Sequence, residues 1–430
     1  LNLEGEQTWT TLFEGHTHKS NIVKHLGGGR FLVLTNIDAP KYRLIAVDID
    51  ALTREHWEEI IPEREHLLQN VSAGGKQLFA HYLQDATARF HQLNYDGSPV
   101  REINLPGLGT AHGFKGREQD DSLFYAFSSF TQPSTIFKYD IATGKSVPFF
   151  NRQELKFNPS DYVEKQVFFE SKDGTPVPMF LVHRKDIVLD GNNPTYLYGY
   201  GGFNVSLTPS FNPSNLILLE NGGIFAMVNL RGGGEYGEEW HKAGMQFNKQ
   251  NVFDDFIAAA EYLITKKYTS SGKLAIAGGS NGGLLVGACM TQRPELFAVA
   301  FPAVGVMDML RYHKFTVGKG WIPEYGCAEA SEEHFQNLYA YSPLHNLRED
   351  TSYPATLVMT ADHDDRVVPA HSFKFAARLQ AVQAGTKPVL IRIAVDAGHG
   401  AGKPTSEVLA EQADKWAFFF QNTNTDLQKR

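Results

Sequence analysis

The sequence predicts two parts: an all-β region of repeated short strands, then an α/β domain on a doubly wound, mostly parallel sheet. Three observations lead there. A strand–turn–strand unit recurs with openings at Phe31, Leu78 and Leu123, steps of 47 and 45 residues. After Pro194, apolar strand-like and helix-like runs alternate, the pattern of a parallel sheet with crossover helices. Gly278-Gly279-Ser280-Asn281-Gly282 stands between one of these strands and the helix after it, a G-x-S-x-G match in the context that gives it meaning.

In the first part, Arg30–Thr35 and Arg43–Asp48 flank a turn at Asp38-Ala39-Pro40. Gln77–Tyr82 and Phe90–Gly97 flank Asp85-Ala86, and Ser122–Phe127 and Ile136–Asp140 flank Gln132-Pro133-Ser134. Hairpins repeating at this length read as β-propeller blades. Three blades do not close a ring, so residues 1–155 are expected to form a partial propeller. Residues 156–430 are expected to form the second domain. It opens with a hairpin, Val163–Ser171 and Val177–Arg184, about Asp173-Gly174. Strands are expected at Thr195–Tyr198, Ile224–Leu230, Lys273–Ala277, Ala298–Val304, Ala355–Thr360 and Val389–Val395. Helices are expected at Val252–Lys266, Gly283–Gln292, Ser372–Ala384 and Thr405–Gln421. In the first of these, Val252, Phe253, Phe256, Ile257, Ala260, Leu263 and Ile264 recur at helical spacing and mark a buried face.

Composition narrows the function. With 430 residues, 42% of them hydrophobic, the chain can bury two cores. A net charge of −8 argues against nucleic acid as a partner. No apolar run approaches the roughly 20 residues of a membrane helix, so no membrane partner is expected. Two cysteines, Cys289 and Cys327, offer neither a disulfide framework nor a metal site. Their scarcity suits a reducing, cytoplasmic compartment, with a periplasmic or secreted home left open. No cofactor is expected. The chain starts at Leu1 rather than Met and is read as a carboxyl-terminal portion of a longer protein.

The G-x-S-x-G turn reads as the nucleophile elbow of the α/β-hydrolases. Glycines two positions either side of Ser280 let the strand and helix pass closely, and the serine takes a strained backbone that lifts its hydroxyl clear. Such a serine needs a base, and the base an orienting acid, from later loops at the carboxyl ends of strands. After Ala355–Thr360 comes Asp362-His363-Asp364-Asp365; after Val389–Val395 comes Asp396-Ala397-Gly398-His399-Gly400. The order serine, acid, histidine is met. Chemistry leaves Asp362, Asp364 and Asp365 open as the acid. A metal reading of that cluster is disfavoured, since no second ligand cluster accompanies it. Gly199-Tyr200-Gly201-Gly202 could place a donor opposite the elbow. Arg231-Gly232-Gly233-Gly234 lacks a phosphate-loop pattern and is read as structural, with Arg231 paired to a local carboxylate.

Together these stretches resemble the prolyl oligopeptidases. The resemblance rests on Gly199–Asn204, Arg231–Gly237, Gly278–Gly283, Val304–Leu310, Asp362–Pro369 and Ala397–Lys403 in that order. It implies Ser280 as nucleophile, His399 as general base and acid, and Asp364 as the orienting acid. It implies an oxyanion hole from the Asn281 N–H and the Tyr200 hydroxyl. It further implies a proline pocket of Trp321, Phe203, Val306, Tyr325 and Val367, with Arg366 holding a substrate carbonyl. A proline ring is apolar and has no N–H, so an indole face with aliphatic walls suits it and leaves no polar group unpaired. The implied activity is a serine endopeptidase cutting short peptides after proline through an acyl-enzyme, a monomer in its intact form. Family members carry a seven-bladed propeller and an amino-terminal segment; this chain holds about three blades, so it is expected either to fold poorly or to admit larger substrates than the intact enzyme. The same triad would also serve an esterase, and a disordered site would leave an inactive binding protein.

Overall fold

The computed structural model describes residues 11–15, 17–150, 157–400 and 402–427. The chain divides into two compact units. One comprises residues 1–156 with Thr208–Phe211 and Glu235–Glu239; the other comprises the remainder. The expected boundary at 155/156 lies outside the described residues, as does Ala401. The two short segments that join the first unit fall in the part of the sequence expected to form the second domain.

Among the described residues the first unit holds three four-stranded antiparallel sheets. The first is β1 (Ser20–Gly27), β2 (Arg30–Thr35), β3 (Arg43–Asp48) and β4 (Glu58–Ile61). The second is β5 (Leu67–Gly74), β6 (Gln77–Gln84), β7 (Thr87–Leu93) and β8 (Pro99–Ile103). The third is β9 (Thr110–Gly113), β10 (Ser122–Ser128), β11 (Thr135–Asp140) and β12 (Ser146–Phe150). The recurring unit in the sequence is the central hairpin of each sheet, β2–β3, β6–β7 and β10–β11. These are the apolar strands, as in β6, where six consecutive residues from Leu78 to Leu83 are buried. The flanking strands escaped the pattern because they are more polar: β4 reads Glu-Glu-Ile-Ile and β8 Pro-Val-Arg-Glu-Ile. The four-stranded sheets, repeated in series, are propeller blades.

The second unit is built on an eight-stranded sheet of order β13-β14-β16-β15-β17-β18-β19-β20. The hairpin β13 (Tyr162–Glu170) and β14 (Pro176–Arg184) forms its antiparallel edge. Then come β15 (Thr195–Tyr198), β16 (Ile224–Val228), β17 (Leu274–Gly279), β18 (Val299–Ala303), β19 (Ala355–Ala361) and β20 (Val389–Ala394). From β16 to β20 every neighbouring pair is parallel. The helices are α1 (Asn215–Glu220), α2 (Glu238–Lys242), α3 (Gln250–Thr265), α4 (Asn281–Gln292), α5 (Ile322–Tyr325), α6 (Glu332–Tyr341), α7 (Ala370–Val382) and α8 (Thr405–Asn422). The expected strands and four long helices are present with ends shifted by a few residues. The short helices α1, α2 and α5 and the polar α6 were missed, because none offers a long apolar stripe.

α4 is buried on all sides from Asn281 to Met290, as a helix apolar around its whole circumference must be. Cys289 lies within it, fully buried, its thiol directed at the Phe253 carbonyl 3.8 Å away. Arg231 does meet local carboxylates. Its guanidinium donates to Asp255 at 2.6 Å and to Asp173 at 2.5 Å, and Ser171 donates to Asp255 at 2.6 Å. Arg231 thus ties the β13–β14 hairpin to α3. Among the described residues no helix is long and apolar enough to cross a membrane.

Candidate active site

Parallel strands bring their carboxyl ends to one edge of the sheet, and the loops leaving that edge carry the polar residues of interest. Tyr200 follows β15, Ser280 follows β17, Val306 follows β18, Asp364 follows β19 and His399 follows β20.

The turn from β17 into α4 is as tight as its glycines suggest. Ser280 has φ 60° and ψ −117°, a strained backbone for a residue with a side chain. A Cβ at Gly278 would lie 2.4 Å from the Gly282 carbonyl oxygen, and one at Gly282 2.7 Å from that of Gly199. Gly279 has space to spare, its nearest neighbour being 3.9 Å away, so the close approach falls on Gly278 and Gly282. No side chain caps α4. The Ser280 N–H is taken by the Ala303 carbonyl at 2.9 Å. Among the described residues the Asn281 N–H donates to no atom of the chain and remains available at a helix amino end.

The three aspartates differ in burial and partners. Asp364 is fully buried and accepts His399 Nδ1–H at 2.6 Å on Oδ2. Its Oδ1 accepts the N–H groups of Arg366 at 3.0 Å and Val367 at 2.9 Å. Three of its roughly four lone-pair sites are thereby committed, and Nδ1 is fixed as the protonated nitrogen, leaving Nε2 as an acceptor. Asp362 instead pairs with His363 at 2.8 Å and accepts the Ala397 N–H at 3.3 Å, tying the two loops together. One ligand atom each of Asp362, His363 and Asp396 fall within 4.8 Å of one another at the surface. Asp365 is exposed. Among the described residues no hydrogen bond joins His399 to Ser280.

Beside Ser280 opens a cavity of about 250 Å³. Ser280, Tyr200 and Arg366 supply its polar lining, and Phe203, Val306, Trp321 and Tyr325 its apolar walls. Phe203 meets Tyr325 edge-on at 5.5 Å and Trp321 at 6.5 Å, while Tyr312 stacks on Trp321 at 6.3 Å. No lining residue is acidic. The Tyr200 hydroxyl interacts with the Ser280 side chain, and burial, the larger influence, raises its pKa above the ordinary phenol value. It therefore stays protonated, and a donor, at neutral pH. Of the expected pocket residues, Val367 does not line the cavity; it is buried and gives its N–H to Asp364. Asn281, also buried, donates its side-chain amide to the Tyr200 carbonyl at 2.5 Å.

Two charged residues that the sequence reading did not single out support this site. Glu324, buried among aromatics, accepts the Phe203 N–H at 2.7 Å and pairs with His241 Nε2 at 2.8 Å. It holds Phe203 at φ 55°, a left-handed backbone rare for a bulky residue. Lys249, also buried, donates to the Gly201 carbonyl and to Asn281 Oδ1. The signal for Glu324 was there: one carboxylate in Trp321-Ile322-Pro323-Glu324-Tyr325. Lys249 stands in an ordinary polar stretch ahead of α3 and gave none.

Comparison with known proteins matches residues 209–426 to the model of the prolyl oligopeptidase family, and residues 1–152 to the prolyl oligopeptidase N-terminal β-propeller domain. The chain belongs to the prolyl oligopeptidase family. It is 51% identical over 400 residues to a prolyl endopeptidase of Elizabethkingia meningoseptica, covering 93% of this chain and 56% of that relative. It is 43% identical to a prolyl endopeptidase of Dictyostelium discoideum, covering 93% of this chain and 54% of the other. A solved structure from a mechanistic study of two prolyl endopeptidases superposes with a TM-score of 0.94 at 48% identity, covering 98% of this chain and 62% of that one. Prolyl oligopeptidase B from Galerina marginata, bound to a 35mer hydrolysis and macrocyclization substrate, gives 0.92 at 38% identity, covering 98% and 60%. The chain thus spans little more than half the length of the curated relatives it matches. The α/β-hydrolase sheet with preceding propeller blades is the family's architecture.

Proposed function

We propose that the chain carries the hydrolytic site of a serine endopeptidase that cuts short peptides on the carboxyl side of proline. The observation that bears most weight is the Asp364–His399 pair held on the same sheet edge as the strained Ser280, with an acid-free aromatic cavity beside the serine. In this reading Ser280 Oγ attacks the prolyl carbonyl as His399 Nε2 takes its proton. The Asn281 N–H and the Tyr200 hydroxyl hold the oxyanion. His399 returns the proton to the leaving amine, and water repeats the sequence on the acyl-enzyme. Trp321, Phe203, Val306 and Tyr325 receive the proline ring, Arg366 a substrate carbonyl, and Val367 acts through its bond to Asp364. The base must come within hydrogen-bond reach of the serine, and such contacts often tighten only with substrate present. The His399 loop therefore has to close onto Ser280 during turnover. The proposal includes a cytoplasmic, monomeric intact enzyme and a domain boundary near 155/156.

Mass spectrometry of products from a mixed peptide library tests this. Cleavage after proline, lost in S280A, is the expected result. Turnover of short acyl esters without proline amides would favour the esterase reading. Products with no proline preference would count against the pocket assignment.

A further inference from the structure

Lys249 is a buried cation for which the reaction scheme has no role. It is 1% exposed. Its ammonium donates to the Gly201 carbonyl at 2.8 Å and to Asn281 Oδ1 at 3.1 Å, and it lies 5.4 Å from the centre of the Tyr325 ring. Among the described residues no carboxylate comes within ion-pair distance of it. It also occupies the N-cap position of α3, where a positive charge opposes the helix dipole. Stability does not account for such a residue: desolvation and the dipole both act against it.

Its contacts do account for it. Gly201 follows Tyr200, and Asn281 follows Ser280. Asn281 returns the connection through its side chain, donating to the Tyr200 carbonyl at 2.5 Å, while the Tyr325 hydroxyl donates to Asn281 Oδ1 at 2.9 Å. A Cβ at Gly202 would lie 2.7 Å from Asn281 Nδ2, so the two segments are already in contact. We propose that Lys249 is a positioning residue that locks the Tyr200 loop to the start of α4, fixing the distance between the two oxyanion donors and placing a positive charge behind them. The inference rests on the hydrolytic reading above and assigns the two-armed hole a mechanical support. Glu324, paired with His241, is the carboxylate that acts on it, and the phenols of Tyr200, Tyr312 and Tyr341 accompany Tyr325.

K249M keeps the length and removes the charge and donors. Its folding would be checked by circular dichroism. Steady-state kinetics on a proline amide would be paired with affinities for two ligands. One is a prolinal aldehyde, which adds to Ser280 and places an oxyanion in the hole; the other is a proline ligand with no carbonyl there. kcat is expected to fall about 10- to 100-fold with KM within about twofold. Aldehyde affinity should fall in parallel while the second ligand binds as before. Wild-type kcat and aldehyde affinity in folded K249M would overturn the proposal, as would equal weakening of both ligands, which marks a pocket defect. If K249M does not fold, N281A carries the same test. It removes the side chain that Lys249 holds and keeps the backbone N–H, and the same kinetic split is expected. Wild-type values there would overturn the proposal. Inactivity of the unaltered chain on every proline reporter would sink the hydrolytic reading, and this inference with it. An active chain with an unaltered K249M sinks this inference only.

Discussion

Asp364 shows what a single residue can and cannot reveal in a sequence. Three aspartates within four positions are chemically equivalent on paper. Burial and two backbone donors separate them in space. D364N would keep the shape and lose the acceptor for His399 Nδ1–H, so kcat is expected to fall about 10³- to 10⁴-fold with KM little changed, read by steady-state kinetics. Y200F removes the hydroxyl proposed above as an oxyanion donor. A fall of about 10²-fold in kcat at unchanged KM is expected; a rise in KM alone would place Tyr200 in substrate binding instead. Lys249 yields a pH prediction with a definite sign. Burial lowers its pKa to about 8, against the opposing charge of Glu324. The folded state therefore binds fewer protons than the unfolded state between about 8 and the ordinary value of 10.5. Stability from this group rises with pH across that window. The gap corresponds to about 3 kcal/mol at most. Denaturant titrations should show wild type gaining on K249M between those limits; a constant difference would contradict the assignment.

Elements were easiest to read where burial imposes a period. β15, β17 and β19 are short apolar runs, and α3 carries its buried residues on one face. The elbow was legible because its chemistry is steric: glycines at 278 and 282 stand where any Cβ would strike backbone. What stayed hidden was contact across long sequence separations. Nothing in the order of residues links Lys249 to Asn281, or Glu324 to Phe203. Polar elements such as β8 and α6 were hidden for a different reason, having no stripe to betray them. Arg231 lies between these cases, its pairing expected and its partner not. R231M would leave Asp255 buried without its counter-charge. A loss of about 3–5 kcal/mol in chemical denaturation is expected, and a neutral result would mean that Asp255 takes up a proton at little expense.

The whole molecule is two compact units with separate apolar clusters, one around α3, α4 and the large sheet, the others each joining two neighbouring blades. Unfolding should therefore depart from a single all-or-none step, with a calorimetric enthalpy above the van't Hoff value; coincident transitions by every probe would argue otherwise. Blade-like repeats and the alternation of strand and helix made both parts visible in the sequence. The outer strands β4 and β8 were not, because they are largely polar. Cys289, sealed within α4, gives the larger unit an internal reporter. Burial raises its thiol pKa well above the ordinary value, so alkylation needs the helix to come away from its surroundings. With the half-exposed Cys327 changed to serine, the rate at which a maleimide captures the remaining sulfur would time the opening of that core under native conditions, without denaturant.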